Sequence, residues 1–444
     1  MDRKSGSPAG GDAERGFDRD SRATLRIDNI GQLGTAPVGA AANAWGVHEN
    51  VAIAIAGERI LALGPQEEIA GAYPVRPDQR IDARSGVVLP GWIDPHTHLL
   101  FAGSRENEFE LRCGGATYQE IAAGGGGIRK SVRDFRAASD VELLAQSRRR
   151  LDRMFACGAT TVEVKSGYGL SLDEELRALR LIRELDRTHP VDLVPTFMGA
   201  HETPDEHRSD RAGYIRLVTE EMIPLVAREK LAVFCDVFCE AEVFDVAETR
   251  TILEAARRHG LELKLHAEEF EPIGGVSLGV ELGATSVDHL IAVDAAGIQA
   301  LVWAASRPQR RPVAVLLPST SFTLAKGRYA PARELLDRGA LVALATDCNP
   351  GSSHNDSMPF VVQLAVLQMN LHPAEAMAAA TRHAALACGV GEDRGVLAPG
   401  YLADLQILDA PSWLWVASAL GLPHVRTVVK RGRAFEIPRW SSRA

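Results

Sequence analysis

Cysteine is scarce in this chain, and basic charge falls short of acidic. Six cysteines (Cys113, Cys157, Cys235, Cys239, Cys348, Cys388) are scattered through 444 residues without a C-x-x-C pair. That spacing excludes a disulfide-dense scaffold and makes reduced thiols in a cytoplasmic protein the expectation. Cys235 and Cys239 share a face if their segment is a strand, yet they read better as small buried residues than as half a zinc site. Lys and Arg number 49 against 58 Asp and Glu, a net charge of -9, so there is no basic footprint for nucleic acid. No stretch approaches the ~20 apolar residues that span a bilayer. The opening segment Met1 to Arg22, rich in Gly, Ser, Asp and Arg, lacks the apolar run of a signal peptide and reads as a disordered tail.

What is present suits a soluble globular protein. Hydrophobic residues make up 46% and charged residues 24%, and the length fits a barrel of alternating strands and helices with an accessory domain. Short strands are predicted at Thr24–Ile27, Val51–Ile55 and Arg59–Leu63, punctuated by Gly57 and Gly64-Pro65. Similar ones follow near the far end, at Ala403–Leu408, Arg426–Lys430 and Ala434–Glu436. Both chain ends are therefore expected to meet in one β-sandwich. The division is 1–22 tail, 23–90 first part of the sandwich, 91–398 barrel and 399–444 second part of the sandwich.

Between the ends, strand-like runs alternate with helical patterns in the βαβ manner of a parallel sheet. In one unit Thr160–Val164 is a strand, and Ser171 caps a helix with Glu174 in the capping-box position. Leu176, Leu179, Ile182 and Leu185 line one helix face, and His189-Pro190 marks the stop. Further strands are expected at Val191–Phe197, Cys235–Cys239, Leu261–His266, Ala284–His289, Val313–Leu317 and Leu341–Thr346. With one ending at His98 they make the eight of a TIM (β/α)8 barrel, whose strand carboxyl ends carry active sites.

The unusual residues cluster at those ends. His96 and His98 stand one residue apart, so on a strand both imidazoles point the same way and can share a metal ion. His266 ends another strand and Asp347 follows the last. Three imidazoles and a carboxylate make a site suited to Zn²⁺ or iron. Such an ion lowers the pKa of its water to roughly 7 and polarises a carbonyl. Glu269, three residues past His266, is placed to shuttle a proton, a duty Asp347 could share. His289 is read either as a donor to a developing oxyanion or as a core histidine held by Asp288. Arg105 offers a planar fork for a carboxylate, with Tyr118 or Tyr168 as hydroxyl donors. Lys165 raises a rival scheme, a carboxylated lysine bridging two metals with His201 and His266. The run Gly124–Gly127 lacks Walker spacing and reads as a loop closing over the pocket.

These residues resemble the amidohydrolase superfamily, and within it the imidazolonepropionase family. The resemblance is carried by His96-Thr97-His98 through Arg105, Ala116-Thr117-Tyr118, Gly124–Ile128, Glu163-Val164-Lys165-Ser166-Gly167-Tyr168-Gly169, Gly199-Ala200-His201-Glu202, His266-Ala267-Glu268-Glu269 and Thr346-Asp347-Cys348-Asn349-Pro350-Gly351-Ser352-Ser353. It implies hydrolysis of 4-imidazolone-5-propanoate to N-formimidoyl-L-glutamate, in a dimer with one Zn²⁺ or Fe³⁺ per subunit. By the same resemblance His96, His98, His266 and Asp347 hold the metal. Arg105, Tyr118, Tyr168, His201, Glu269, Asn349, Gly351 and Ser352 contact the substrate, and Glu269, His289 and Asp347 are the catalytic candidates. One departure is Ser319-Thr320-Ser321, where the family more often has Gly-Ala after the proline, so one pocket wall is expected to differ. Two rival readings share these motifs: a deaminase of a small heterocyclic ring, and a catalytically silent barrel serving as a binding module.

Overall fold

The computed structural model describes residues 22–37, 44–116, 120–121, 124–307, 312–325, 327–422 and 424–438. The leading segment 1–21 and Tyr118 lie outside the described residues. Eight parallel strands pair in chain order: β1 (Trp92–Asp94), β2 (Ala159–Lys165), β3 (Asp192–Ala200), β4 (Phe234–Cys239), β5 (Glu262–Ala267), β6 (Ser286–His289), β7 (Val313–Leu316) and β8 (Val342–Leu344). Their runs are apolar because helices cover the outer face and side chains fill the inner one. All seven residues of β2 and all six of β4 are buried. Past the strand ends the ring closes: Asp347 N donates to His96 O at 3.0 Å and His98 N to Cys348 O at 2.9 Å, around a parallel bridge between Thr97 and Cys348.

Two local expectations are corrected. β1 stops at Asp94 rather than running through His98. Pro95 has no N–H to give the ladder, and the Asp94 carboxylate accepts Thr346 N at 3.1 Å and Thr346 Oγ1 at 2.5 Å instead. The histidines therefore sit on an extended segment pinned by the closing bonds. The helix after β2, Leu172–Thr188, begins at Ser171, but the Ser171 side chain makes no capping bond. Glu174 pairs with Arg177 Nη1 at 2.8 Å. It is the fully buried Glu175 that gathers the preceding turn, accepting from the N–H groups of Gly167, Gly169 and Leu170 at 3.1, 2.9 and 2.9 Å. The apolar face and the stop after Thr188 are as expected.

Both chain ends form the sandwich. One sheet orders Arg59–Pro65, Val51–Ala56, Leu25–Ile30 and Arg80–Asp82. The other orders Arg433–Glu436, Val425–Lys430, Leu405–Leu408, Val87–Pro90, Gln32–Gly34 and Val47–His48. In the second sheet Leu405–Leu408 runs antiparallel to Val87–Pro90, so the chain's end is stitched to the strand that feeds β1. Ile27, Ile53, Ile55, Val88, Leu405 and Ile407 fill the space between the sheets. Lys430 ties sandwich to barrel, donating to Asp404 Oδ2 at 2.6 Å and to Asp192 Oδ2, at the start of β3, at 2.9 Å. Among the described residues no helix is long and apolar enough to cross a membrane.

Candidate metal centre and its cleft

Four predicted ligands meet at the carboxyl end of the barrel. His96 Nε2 lies 3.5 Å and His98 Nε2 3.7 Å from Asp347 Oδ1, and His98 Nε2 is 3.2 Å from His266 Nε2. A tetrahedral ion with bonds of about 2.0–2.1 Å spaces its donors by roughly 3.3–3.4 Å, so these three separations suit donors to one metal, and the donor atoms gather as two triads that share His96: His96, His98 and Asp347, and His96, His266 and His289. The buried His96 Nε2 has no hydrogen-bond partner among the described residues, as suits a nitrogen kept for coordination.

The tautomers are set from behind. His96 Nδ1 donates to Asp288 Oδ2 at 2.7 Å and His266 Nδ1 to Asp236 Oδ1 at 3.0 Å, which leaves each Nε2 lone pair facing the cluster. Burial holds His96 and His98 well below the ordinary histidine pKa, in the neutral form a metal needs. Burial lifts Asp347 to about 6, opposed by the hydroxyl of Thr320, which donates to Asp347 Oδ2 at 2.5 Å. That bond leaves Oδ1 turned toward the histidines. The backbone is left-handed at Glu268 (φ 56°), His289 (φ 80°) and Asp347 (φ 52°), conformations costly enough in non-glycine residues to mark a site.

A cleft of about 510 Å³ opens onto this cluster. His98, His266, His289, Asp347, Arg105, Tyr168, His201, Glu269, Asn349 and Ser352 all line it, with Ile128, Phe238, Phe270 and Leu324 as apolar wall. Arg105 is buried, its Nε and Nη2 each 2.9 Å from Glu108 Oε2. Glu108 Oε1 accepts Gly127 N at 3.0 Å, so the glycine run is tied to the arginine it borders. Gly351 lies beneath the guanidinium, where a Cβ would come within 2.2 Å of Arg105 Cζ. Asn349 braces this loop: its Oδ1 accepts from Gly351 N and Ser352 N, both at 2.8 Å, and its Nδ2 donates to Asp347 O at 2.8 Å. His201 stacks on His98 with centroids 4.8 Å apart. Its Nδ1 donates to Gly167 O at 2.9 Å, and burial, helped by His266, pushes its pKa down to about 3.

His289 differs from one of its two readings: Asp288 holds His96, not His289. His289 Nδ1 instead faces Glu269 Oε2 at 3.6 Å. The carboxylated-lysine scheme also fails. Lys165 Nζ lies 2.7 Å from Glu163 Oε1, 2.8 Å from Asp236 Oδ2 and 3.9 Å from Asp288 Oδ2. A carbamate there would add a negative charge to three carboxylates. Burial disfavours the ammonium, but Asp236 and Glu163 outweigh it and hold Lys165 above the usual lysine pKa. Asp236, Glu108 and Thr320 escaped the sequence reading. Asp236 was hidden inside a strand, where a lone acid in an apolar run is the available signal; Glu108 and Thr320 lay where nothing pointed to them, Thr320 in the departing segment.

Residues 87–435 match the model of the amidohydrolase family. An imidazolonepropionase from Symbiobacterium thermophilum is 50% identical over 384 residues, covering 86% of this chain and 89% of that protein. Another from Geobacillus thermodenitrificans is 48% identical over 387 residues, 87% of this chain and 90% of its own length. A solved 5-methylcytosine deaminase from Klebsiella pneumoniae, liganded with phosphonocytosine, matches with a TM-score of 0.70 over 95% of this chain and 100% of that one, at 16% identity, which speaks to fold alone. With the barrel, the His/Asp cluster and relatives alike along most of both lengths, the chain belongs to the amidohydrolase family and, within it, to the imidazolonepropionases.

Proposed function

We propose that this chain hydrolyses the cyclic amide of 4-imidazolone-5-propanoate to N-formimidoyl-L-glutamate, a ring-opening step of histidine breakdown. The observation that carries this reading is a buried arginine, Arg105, in the same cleft as the His/Asp cluster, in a chain half identical to an imidazolonepropionase. The family is metal-dependent, and His96, His98, His266 and Asp347 would hold one Zn²⁺ or Fe³⁺ per subunit. When bound, such an ion polarises a carbonyl and lowers the pKa of a coordinated water to about 7.

The remaining chemistry falls to the cleft. Arg105, its plane fixed by Glu108, pairs with the propionate and sets the ring's carbonyl over the histidines. Tyr168, His201 and Ser352 border the ring, while Asn349 and Gly351 shape the loop beneath Arg105. Glu269 takes a proton from the attacking water and returns it to the departing ring nitrogen. It suits this better than Asp347, whose Oδ2 is held by Thr320 and whose Oδ1 faces the histidines. His289, opposite Glu269, steadies the oxyanion as the carbonyl becomes tetrahedral.

The test is ultraviolet-monitored loss of freshly generated imidazolonepropionate with metal-loaded protein, with ammonia assayed in the same tube. Ring loss without ammonia is expected. Ammonia release would turn the assignment toward a deaminase, and an unchanged ring with metal bound would refute hydrolysis.

A further inference from the structure

A second cavity lies at the opposite end of β1 from His96 and His98, in the seam between barrel and sandwich. Its volume is about 160 Å³. Two fully buried side chains, Trp92 at the start of β1 and Gln406 on the sandwich strand Leu405–Leu408, line it. Trp92 Nε1 and Gln406 Oε1 have no hydrogen-bond partner among the described residues. Buried polar atoms seldom stay that way, because an unmade bond costs about 1–3 kcal/mol.

The two atoms carry opposite and unambiguous roles. An indole N–H only donates. The Gln406 amide is oriented by its Nε2, which donates to Pro90 O at 3.0 Å, so its Oε1 is left as acceptor. Both groups border one space. Both also close on Gly158, where a Cβ would come within 2.3 Å of Gln406 Oε1 and 3.2 Å of Trp92 Cδ1, so only glycine fits between them. A ligand that satisfies both must present an acceptor and a donor, and the cis-amide edge of a lactam carries the two on one edge. The surrounding wall is apolar at Leu408, Val416 and Phe360 and polar at Ser357, Gln363 and His424, whose Nε2 is also without a partner among the described residues, and no described Lys, Arg, Asp or Glu lines it. The body that fits is therefore flat and uncharged, unlike the carboxylated ring that Arg105 suits.

We infer that this seam is a second ligand site, selective for neutral lactam-type heterocycles, with Trp92 and Gln406 reading the amide edge. The assay is isothermal titration of the full-length protein with 2-quinolinone, alongside alkylation of Cys157, which lines the cavity, followed by peptide mass spectrometry. One site is expected, with affinity reduced about three- to tenfold in Trp92→Phe, the worth of one neutral hydrogen bond. Bound probe should slow alkylation of Cys157 but not of the exposed Cys113, and 2-oxoquinoline-4-carboxylate should bind less well. Absence of binding would mean that the cavity takes water alone and would overturn the inference. Equal binding by Trp92→Phe, or competition by N-formimidoyl-L-glutamate, would also overturn it, the latter by placing the probe in the catalytic cleft. Should Trp92→Phe fail to fold, protection of Cys157 in the unaltered chain decides.

Discussion

Replacing Thr320 with valine, which keeps the shape and removes the hydroxyl, should cost the protein its grip on metal. Thr320 and Asp347 are both buried, and the 2.5 Å bond from Oγ1 to Oδ2 leaves Oδ1 as the oxygen facing His96 and His98. A hydrogen bond to a charged group is worth about 1.5–3 kcal/mol, which corresponds to a factor of roughly 10–150 in an equilibrium constant. Loss of outer partners of metal ligands costs about 10–100-fold in affinity, in the same range. Thr320→Val should therefore raise the metal dissociation constant by about 10–100-fold, measured by equilibrium competition against a chelating dye. Thr320→Ser, which restores a hydroxyl, should recover most of it. The argument fails if the valine variant binds metal as tightly as the original chain. It also fails if serine is no better than valine, since packing of the methyl would then be the cause.

Glu269→Gln should keep metal content and KM while kcat falls by about 10²–10⁴; an unchanged kcat would remove Glu269 from proton transfer. Gly351→Ala places a methyl 2.2 Å from Arg105 Cζ. Its KM should rise as that of Arg105→Ala does, by about tenfold or more for a lost charge-assisted contact, and a normal KM in both would detach Arg105 from the propionate. Lys165→Met leaves Glu163 and Asp236 buried without their shared cation. The expected loss is about 3–5 kcal/mol of stability, read as a lower urea midpoint at constant slope, and an unchanged midpoint would show the network to be dispensable.

The fold was open to sequence reading because the strongest local signals agreed with the global design. Strands such as Ala159–Lys165 and Phe234–Cys239, short and rich in β-branched or aromatic residues, can be buried along their whole length only in a covered parallel sheet. The helix face of Leu176, Leu179, Ile182 and Leu185 then supplied the cover. What failed was local and had tertiary causes. Ser171 and Glu174 carry the letters of a capping box, yet Arg177 captures Glu174 and the turn is held by Glu175. No local pattern states which of two adjacent glutamates faces the core until the barrel beneath them exists. Likewise β1 ends at Asp94 because Thr346, 252 positions away in sequence, engages the Asp94 carboxylate.

The site was readable in its ligands and unreadable in their supports, and a single geometric rule accounts for both. A residue at or just past the carboxyl end of a strand announces itself by breaking the run, as His266, next to last in β5, and Asp347, three residues beyond β8, do. A charged residue within the run looks like a blemish, although alternation puts Glu163 with Lys165 and Lys264 with His266 on common faces. In the barrel those faces turn inward, and the charges meet: Lys165 between Glu163 and Asp236, Asp236 on His266, Asp288 on His96. Pairing in this layer runs between strands far apart in sequence, so spacing along the chain cannot reveal it. The same layer explains how two of the candidate ligands, His96 and His266, stay aimed while buried. The Nδ1 hydrogens of His96 and His266 are already committed to Asp288 and Asp236, beside the buried Lys165, so coordination demands no tautomer change at either ring.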